Sequence, residues 1–189
     1  MKISFKILMA VLALQTLASC AQLQQFLNPP KKELAPVDYL ERSAKLDISS
    51  FLNGNLEGFA IIQDVNGKIS DSYVLRVNGK WEETRGTVQF NYTFNGGKKD
   101  SRTWLVTVND SMSYSAIGHD FIETAQGRTQ GNASAVNYSL NTMFKEMKQR
   151  IDYEDQLYLV DEKSAIIIST MRKSGEVVGK AIISLKKSN

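Results

Sequence analysis

The sequence predicts an all-β domain: an antiparallel meander of about eight to ten short strands closed into a barrel, with a two-sheet sandwich as the alternative and at most one or two short helices. Three observations predict it. Val88, Phe90, Tyr92 and Phe94 alternate with Gln89, Asn91 and Thr93, a strict period of two. Turn residues punctuate the apolar runs at short intervals, at Asn66-Gly67, Asn95-Gly96-Gly97, Asn109-Asp110-Ser111, Asp161-Glu162-Lys163 and Ser174-Gly175, and Asn-Gly between alternating segments is the strongest short-range hairpin signal. No long stretch carries a helical period.

In chain order, Lys2 and Lys6 precede the uncharged run Ile7 to Leu14, and Leu17-Ala18-Ser19 lead into Cys20, the one cysteine. A positive segment, an apolar segment and small residues before a cut form the pattern of a secretory signal. The apolar run is too short to span a bilayer, which takes roughly 20 residues. Its ending resembles a bacterial lipobox, which implies cleavage between Ser19 and Cys20 and a diacylglycerol on the Cys20 sulfur. A plain secretory signal cut elsewhere would leave a lone thiol in an oxidising compartment. Ala21 stands where retention signals often carry Asp, so by analogy the expected address is the outer membrane, facing the periplasm. The domain reading is a signal peptide at 1–19, a lipidated N-terminus and tether at 20–37, and a single barrel domain at 38–189. The tether, with Gln22, Gln24, Gln25, Pro29 and Pro30, spans very roughly 20–30 Å as a coil. The spacing of Leu23, Phe26 and Leu27 equally suits one amphipathic turn resting on the bilayer.

Asp47 to Leu52 reads as a single helical turn capped by Asp47 and closed by Asn53-Gly54. Tyr73, Leu75 and Val77 alternate with polar neighbours, Trp104, Val106 and Val108 continue the theme, and Ile166-Ile167-Ile168 is a β-branched run. Asn78-Gly79 suits a bulge that bends a strand as well as it suits a turn. Met143, Phe144, Met147 and Ile151 fall at helical spacing, which fits one short helix or the shoulder of a strand beginning near Lys148.

Composition excludes several classes. The first 19 of 189 residues carry Lys2 and Lys6, so the formal charge of +3 falls to about +1 in the mature chain. A near-neutral body with only the small clusters Lys31-Lys32 and Lys186-Lys187 argues against nucleic acid, which needs a concentrated basic surface. One cysteine allows no disulfide within the chain, so core packing must hold the fold.

The segment Gly118 to Leu140 (GHDFIETAQGRTQGNASAVNYSL) resembles the signature of an uncharacterised proteobacterial lipoprotein family, a domain of unknown function. Phe51-Leu52-Asn53-Gly54, Gln63-Asp64, Gly67, Gly79-Lys80-Trp81, Arg102-Thr103-Trp104 and the late Met171, Lys173, Gly175, Val178 and Gly179 carry the resemblance over about Tyr39 to Leu185. It implies a lipid-anchored, periplasm-facing domain and no assigned activity. The chain departs from the pattern at His119, where an acidic residue is expected, at Glu123, where glycine is expected, and at Gln156, where tryptophan is expected.

Candidate site residues follow from that segment and from the aromatics. Ala125, Gly127, Gly131 and Ala133 are small residues at near-alternate positions, which suits close strand approach, a sharp barrel corner or a ligand lying against the sheet, with a tight bend and small-to-large packing favoured over a ligand. Asn132 can satisfy backbone groups at such a bend. Asp120, Gly127, Gly131, Asn132, Tyr138, Trp81 and Trp104 form the candidate ligand or corner set. No catalytic residue and no cofactor is assigned. His119 is the sole histidine, and on a strand it would point away from its neighbour Asp120. No Gly-x-Ser-x-Gly elbow exists. No metal site is assigned, since one histidine and scattered acids lack ligand spacing; Asp152-Tyr153-Glu154-Asp155 reads as a solvated strand face rather than a calcium loop.

Two function classes remain, with an enzyme third. One is a lipocalin-like barrel, tethered to a membrane by its N-terminal lipid, that binds an apolar or amphipathic molecule, its candidate lining Tyr73, Leu75, Val77, Phe90, Tyr92, Phe94, Trp104 and Val106. The other is an accessory lipoprotein that contacts an envelope protein partner through its outer surface.

Overall fold

The computed structural model describes residues 45–144 and 147–188. The signal, Cys20 and the tether lie outside the described residues. Ten strands follow one short helix, α1 (Ile48–Leu52): β1 (Gly54–Gln63), β2 (Ile69–Glu82), β3 (Arg85–Phe94), β4 (Lys99–Asp110), β5 (Ser113–Ile117), β6 (Ala125–Gln130), β7 (Ala133–Phe144), β8 (Met147–Leu159), β9 (Ser164–Lys173) and β10 (Glu176–Lys187). Each strand pairs antiparallel with its chain neighbours, and β10 returns to β1. That last ladder, from Leu56 opposite Lys187 to Gln63 opposite Lys180, closes the barrel. Closure leaves no edge strand, and so decides between barrel and sandwich.

The period of two now acquires a direction. Tyr73, Leu75 and Val77 from β2, Val88 from β3, Val106 from β4 and Ile183 and Leu185 from β10 are buried in one core, while their strand neighbours face outward. Asp47 caps α1, its Oδ1 accepting from the Ser50 amide at 2.7 Å. Ile48 and Phe51 are buried by this turn, and α1 lies against β2 and β3, so the helix stops one end of the tube. The β1–β2, β3–β4 and β9–β10 turns lie at the other end.

Three local expectations need correction. Asn78-Gly79 is neither turn nor bulge: β2 runs through it in unbroken register with β3. Gly79 is bare because a Cβ there would strike the Leu52 carbonyl at the end of α1. Of the two readings of Met143, Phe144, Met147 and Ile151, the strand beginning near Lys148 holds, as β8 from Met147, and the short helix does not. Pairing from Phe144 with Met147 down to Ala133 with Tyr158 makes this the long β7–β8 hairpin, because an apolar face shared with the barrel outweighs an accidental helical spacing. Asn109 and Asp110 belong to β4, and the turn falls at Ser111-Met112.

β5 and β6 are short, and the loop at 118–124 completes the wall beyond them. Phe121 bridges Leu140, the Ile122 amide donates to the Ser139 carbonyl at 2.9 Å and the Asn141 amide to the Asp120 carbonyl at 3.0 Å. On the outer face Arg150 reaches Asp152 at 2.8 Å and Glu123 at 3.4 Å, pinning the loop to β8.

Replacing Gly79 with alanine drives a methyl group into backbone that no rotamer change can move. Gly79→Ala should lower stability by about 1–3 kcal/mol, the usual cost of overpacking, in chemical denaturation, with the β-sheet circular dichroism retained. A melt identical to the parent would show that α1 does not seat against β2.

Candidate functional site

Beneath the turn end the barrel is not filled. A cavity of about 190 Å³ runs from Ile48 and Leu52 at the helix floor to Phe94, Asp100 and Met171 near the opposite turns. Eight aromatic side chains border it: Tyr73, Phe90, Tyr92, Phe94, Trp104, Tyr114, Tyr138 and Tyr153. They touch in sequence around the wall. Tyr73 meets Tyr92 edge-on at 5.3 Å, Phe90 meets Trp104 at 5.1 Å, Trp104 meets Tyr138 edge-on at 5.0 Å, and Tyr138 stacks on Tyr153 at 5.0 Å. Edge and offset contacts of this kind stabilise beyond the area they bury, so the wall is rigid around an unfilled centre.

Two charged residues enter the apolar interior. Arg102 is in phase with Trp104 and Val106 on β4 and points inward. Its Nε pairs with Asp120 at 3.2 Å, both side chains being less than one-fifth exposed. One Nη donates to Thr142 Oγ1 at 3.2 Å, and the guanidinium lies 5.8 Å from the centre of the Tyr92 ring. Asp155 is in phase with Leu157 on β8 and is enclosed by the barrel, bordering the cavity. The Tyr138 hydroxyl donates to its Oδ2 at 2.8 Å. Its Oδ1 is buried and has no hydrogen-bond partner. Burial pushes the Asp155 carboxyl up to about 6, against the pull of the Ser169 and Tyr138 hydroxyls and the Arg102 charge. Burial also raises the phenols of Tyr73, Tyr92, Tyr114, Tyr138 and Tyr153, which therefore stay neutral.

The sequence-derived candidates separate into three groups. Trp104 and Tyr138 line the cavity, and Asp120 stands beside it holding Arg102. Gly127 makes room for the Tyr114 ring, which a Cβ would strike. Gly131, at φ +56°, makes the β6–β7 turn, and its carbonyl accepts from the Leu46 amide at 2.8 Å. Asn132 exchanges hydrogen bonds with Leu159, its amide side chain donating to that carbonyl at 3.0 Å. Gly127, Gly131 and Asn132 thus serve the framework. Trp81 packs over Gly86 away from the cavity. Ser19 and Cys20 are outside the described residues.

Two further expectations change. His119 and Asp120 lie in a turn, not on a strand; Asp120 turns inward to Arg102 while His119 is exposed. The acids of β8 are not one solvated face. Asp152 and Glu154 face outward and pair with Arg150 at 2.8 Å and Arg172 at 3.1 Å, whereas Asp155 faces the interior. Arg102 and Asp155 were absent from the candidate set. A signal for both exists, since each is a charged residue at the inward parity of an alternating strand.

Three comparisons place the chain among known proteins. It belongs to the family of proteins of unknown function DUF3833, which it matches over residues 31–187. No curated protein matches it. Among solved structures it is similar to the S-type phycobiliprotein lyase CPES of Guillardia theta, with a TM-score of 0.57 and 4% identity over 76% of this chain and 94% of that one. It is also similar to a protein of unknown function from the DUF3598 family of Nostoc punctiforme, with a TM-score of 0.53 and 15% identity over 77% of this chain. The chain spans half the length of that protein. At such identities the likeness is one of fold, a lipocalin-like barrel.

Asp155 should leave a mark on the pH dependence of stability. Its carboxyl holds a proton more tightly folded than unfolded, so its contribution is fully present below about pH 4 and lost as pH rises through about 6. Asp155→Asn should therefore gain stability relative to the parent between those limits, by up to about 3 kcal/mol. Parallel melting profiles of the two proteins across this range would contradict the burial of a carboxylate there.

Proposed function

We propose that this protein is a binding module: a membrane-tethered barrel that holds one small apolar or amphipathic molecule in its interior. The cavity carries the reading. An apolar cavity of about 150 Å³ holds benzene, so about 190 Å³ suits a single ring or a short branched chain with a small head group. Aromatic walls supply most of the burial, and a few fixed polar groups supply orientation, the common composition of a ligand pocket. Tyr138 turns its hydroxyl to Asp155 and Tyr114 shares a hydrogen bond with Ser134, so the wall carries fixed polar groups among its rings. Lipid on Cys20 would fix the barrel at the surface of the outer membrane, where amphipathic molecules concentrate.

The outer face favours a second reading, an accessory lipoprotein working by protein contact. Phe59 on β1 and Val74 on β2 stand directly opposite one another, 68% and 51% exposed. Ile61 is opposite Ile182 on β10, itself exposed. Apolar residues adjacent across three strands form a patch, in contrast to single exposed side chains.

Native mass spectrometry of the full chain released from its own membranes should find a co-purifying small molecule, lost when Ala181→Phe fills the cavity. An empty protein, with the parent's stability unaltered by that substitution, would remove the binding reading. Cys20→Ser should move the protein from the membrane to the soluble fraction, and unchanged fractionation would remove the tether. A photo-crosslinker at Phe59 that captures one specific envelope protein would support the second reading, and random neighbours would dismiss it.

A further inference from the structure

The cavity is more selective than its apolar walls suggest, because its charges do not balance. Its border carries one cation, Arg102, against the carboxylates of Asp100 and Asp155, with Asp120 directly behind. Arg102 is already committed to Asp120, to Thr142 and to the face of Tyr92. Asp155 is not satisfied. The Tyr138 hydroxyl donates to Oδ2 and the Ser169 hydroxyl also favours the ionised form, yet Oδ1 is buried without a hydrogen-bond partner. A buried acceptor left unmade costs more than a typical hydrogen bond contributes. The tyrosine and tryptophan rings around it present negative π-faces, which attract cations.

The geometry points to a small organic cation as the cavity's ligand: an amine whose ammonium meets Asp155 Oδ1 while its apolar body lies against the aromatic wall. This rests on the cavity being a binding site at all, and adds the sign of the charge it accepts. A fatty-acid carboxylate would meet Asp155 and Asp120 as like charges and would have to take Arg102 from its partners. An ammonium instead satisfies the orphaned oxygen and turns a burial penalty into a charge-assisted hydrogen bond. The groups facing Asp155 are Tyr73 from β2, Tyr92 from β3, Arg102 from β4, Tyr114 from β5, Tyr138 from β7, Tyr153 on its own strand and Ser169 from β9. Only Arg102 among them is charged at neutral pH, so the acid's own protonation governs whether the cation is held.

The experiment compares three probes that share a phenyl body: 2-phenylethylamine, 2-phenylethanol and 3-phenylpropanoate. Each is titrated calorimetrically into the full chain in lipid nanodiscs, with empty nanodiscs subtracted. Near pH 8 the amine should bind at least about tenfold more tightly than the other two. Acidification to near pH 5 should erase that preference, because Asp155 then carries a proton while the amine keeps its charge. Asp155→Asn should erase it near pH 8. Asp155→Leu, checked by its melt, repeats the test with the polar group removed. Equal binding of amine and alcohol would overturn the charge preference and leave the binding module standing. So would preference for the carboxylate, lost in Arg102→Gln. Failure of all three probes to bind would overturn both readings.

Discussion

Closure of the sheet is the constraint on which everything else depends. Ten antiparallel strands return β10 to β1 through eight residue pairs, so no strand edge is left unpaired. An even strand count is what lets an antiparallel meander close with every ladder in the same sense. Once the ladders hold the wall, the interior is released from having to be dense. An open two-sheet arrangement of this length would hold its layers together by a filled core. A closed tube can keep a hollow, provided its ends are stopped and its lining side chains brace one another. Here α1 stops one end, and the run of tyrosine, phenylalanine and tryptophan contacts braces the other half.

That bracing explains why charge is tolerated inside. A guanidinium and a carboxylate in an apolar interior each lose hydration worth several kcal/mol. Arg102 recovers part of this from Asp120, which is brought to it by the loop at 118–124. The loop is held in turn by Ser139, Asn141 and Leu140 on β7 and by Arg150 on β8. Asp155 recovers less: its Oδ1 has no hydrogen-bond partner, and burial pushes its carboxyl up. A protein that keeps such a group at the centre of a cavity keeps it at a cost in stability, and the natural counterweight is a ligand that completes its hydrogen bonds.

Much of the fold was legible in the residues. The alternation Val88, Phe90, Tyr92, Phe94 and the turns at Asn66-Gly67, Asn95-Gly96-Gly97 and Ser174-Gly175 report local geometry, and local geometry is what period and turn chemistry encode. Asp47 as a cap was readable for the same reason: its partner, the Ser50 amide, is three residues away. Gly79 was misread, and the packing role of Gly127 could be read only without its partner, because a glycine's motive is long-range. One faces the Leu52 carbonyl and the other the Tyr114 ring, and neither neighbour is visible from the adjacent sequence. The helical spacing of Met143, Met147 and Ile151 was a coincidence that pairing with a neighbouring strand overrode.

The site divides along the same line. By itself the sequence determined that aromatic side chains at alternate positions would gather on one face of a β-sheet, because a strand turns successive side chains to opposite sides. It also carried, unread, the parity that sends Arg102 and Asp155 inward with Trp104 and Leu157. Only the tertiary structure decided that this face is the inside of a closed tube, that the tube is hollow, and that Asp120 crosses to Arg102 while Asp155 Oδ1 goes unanswered. Those are facts about distances between residues far apart in the chain, set by where β10 meets β1.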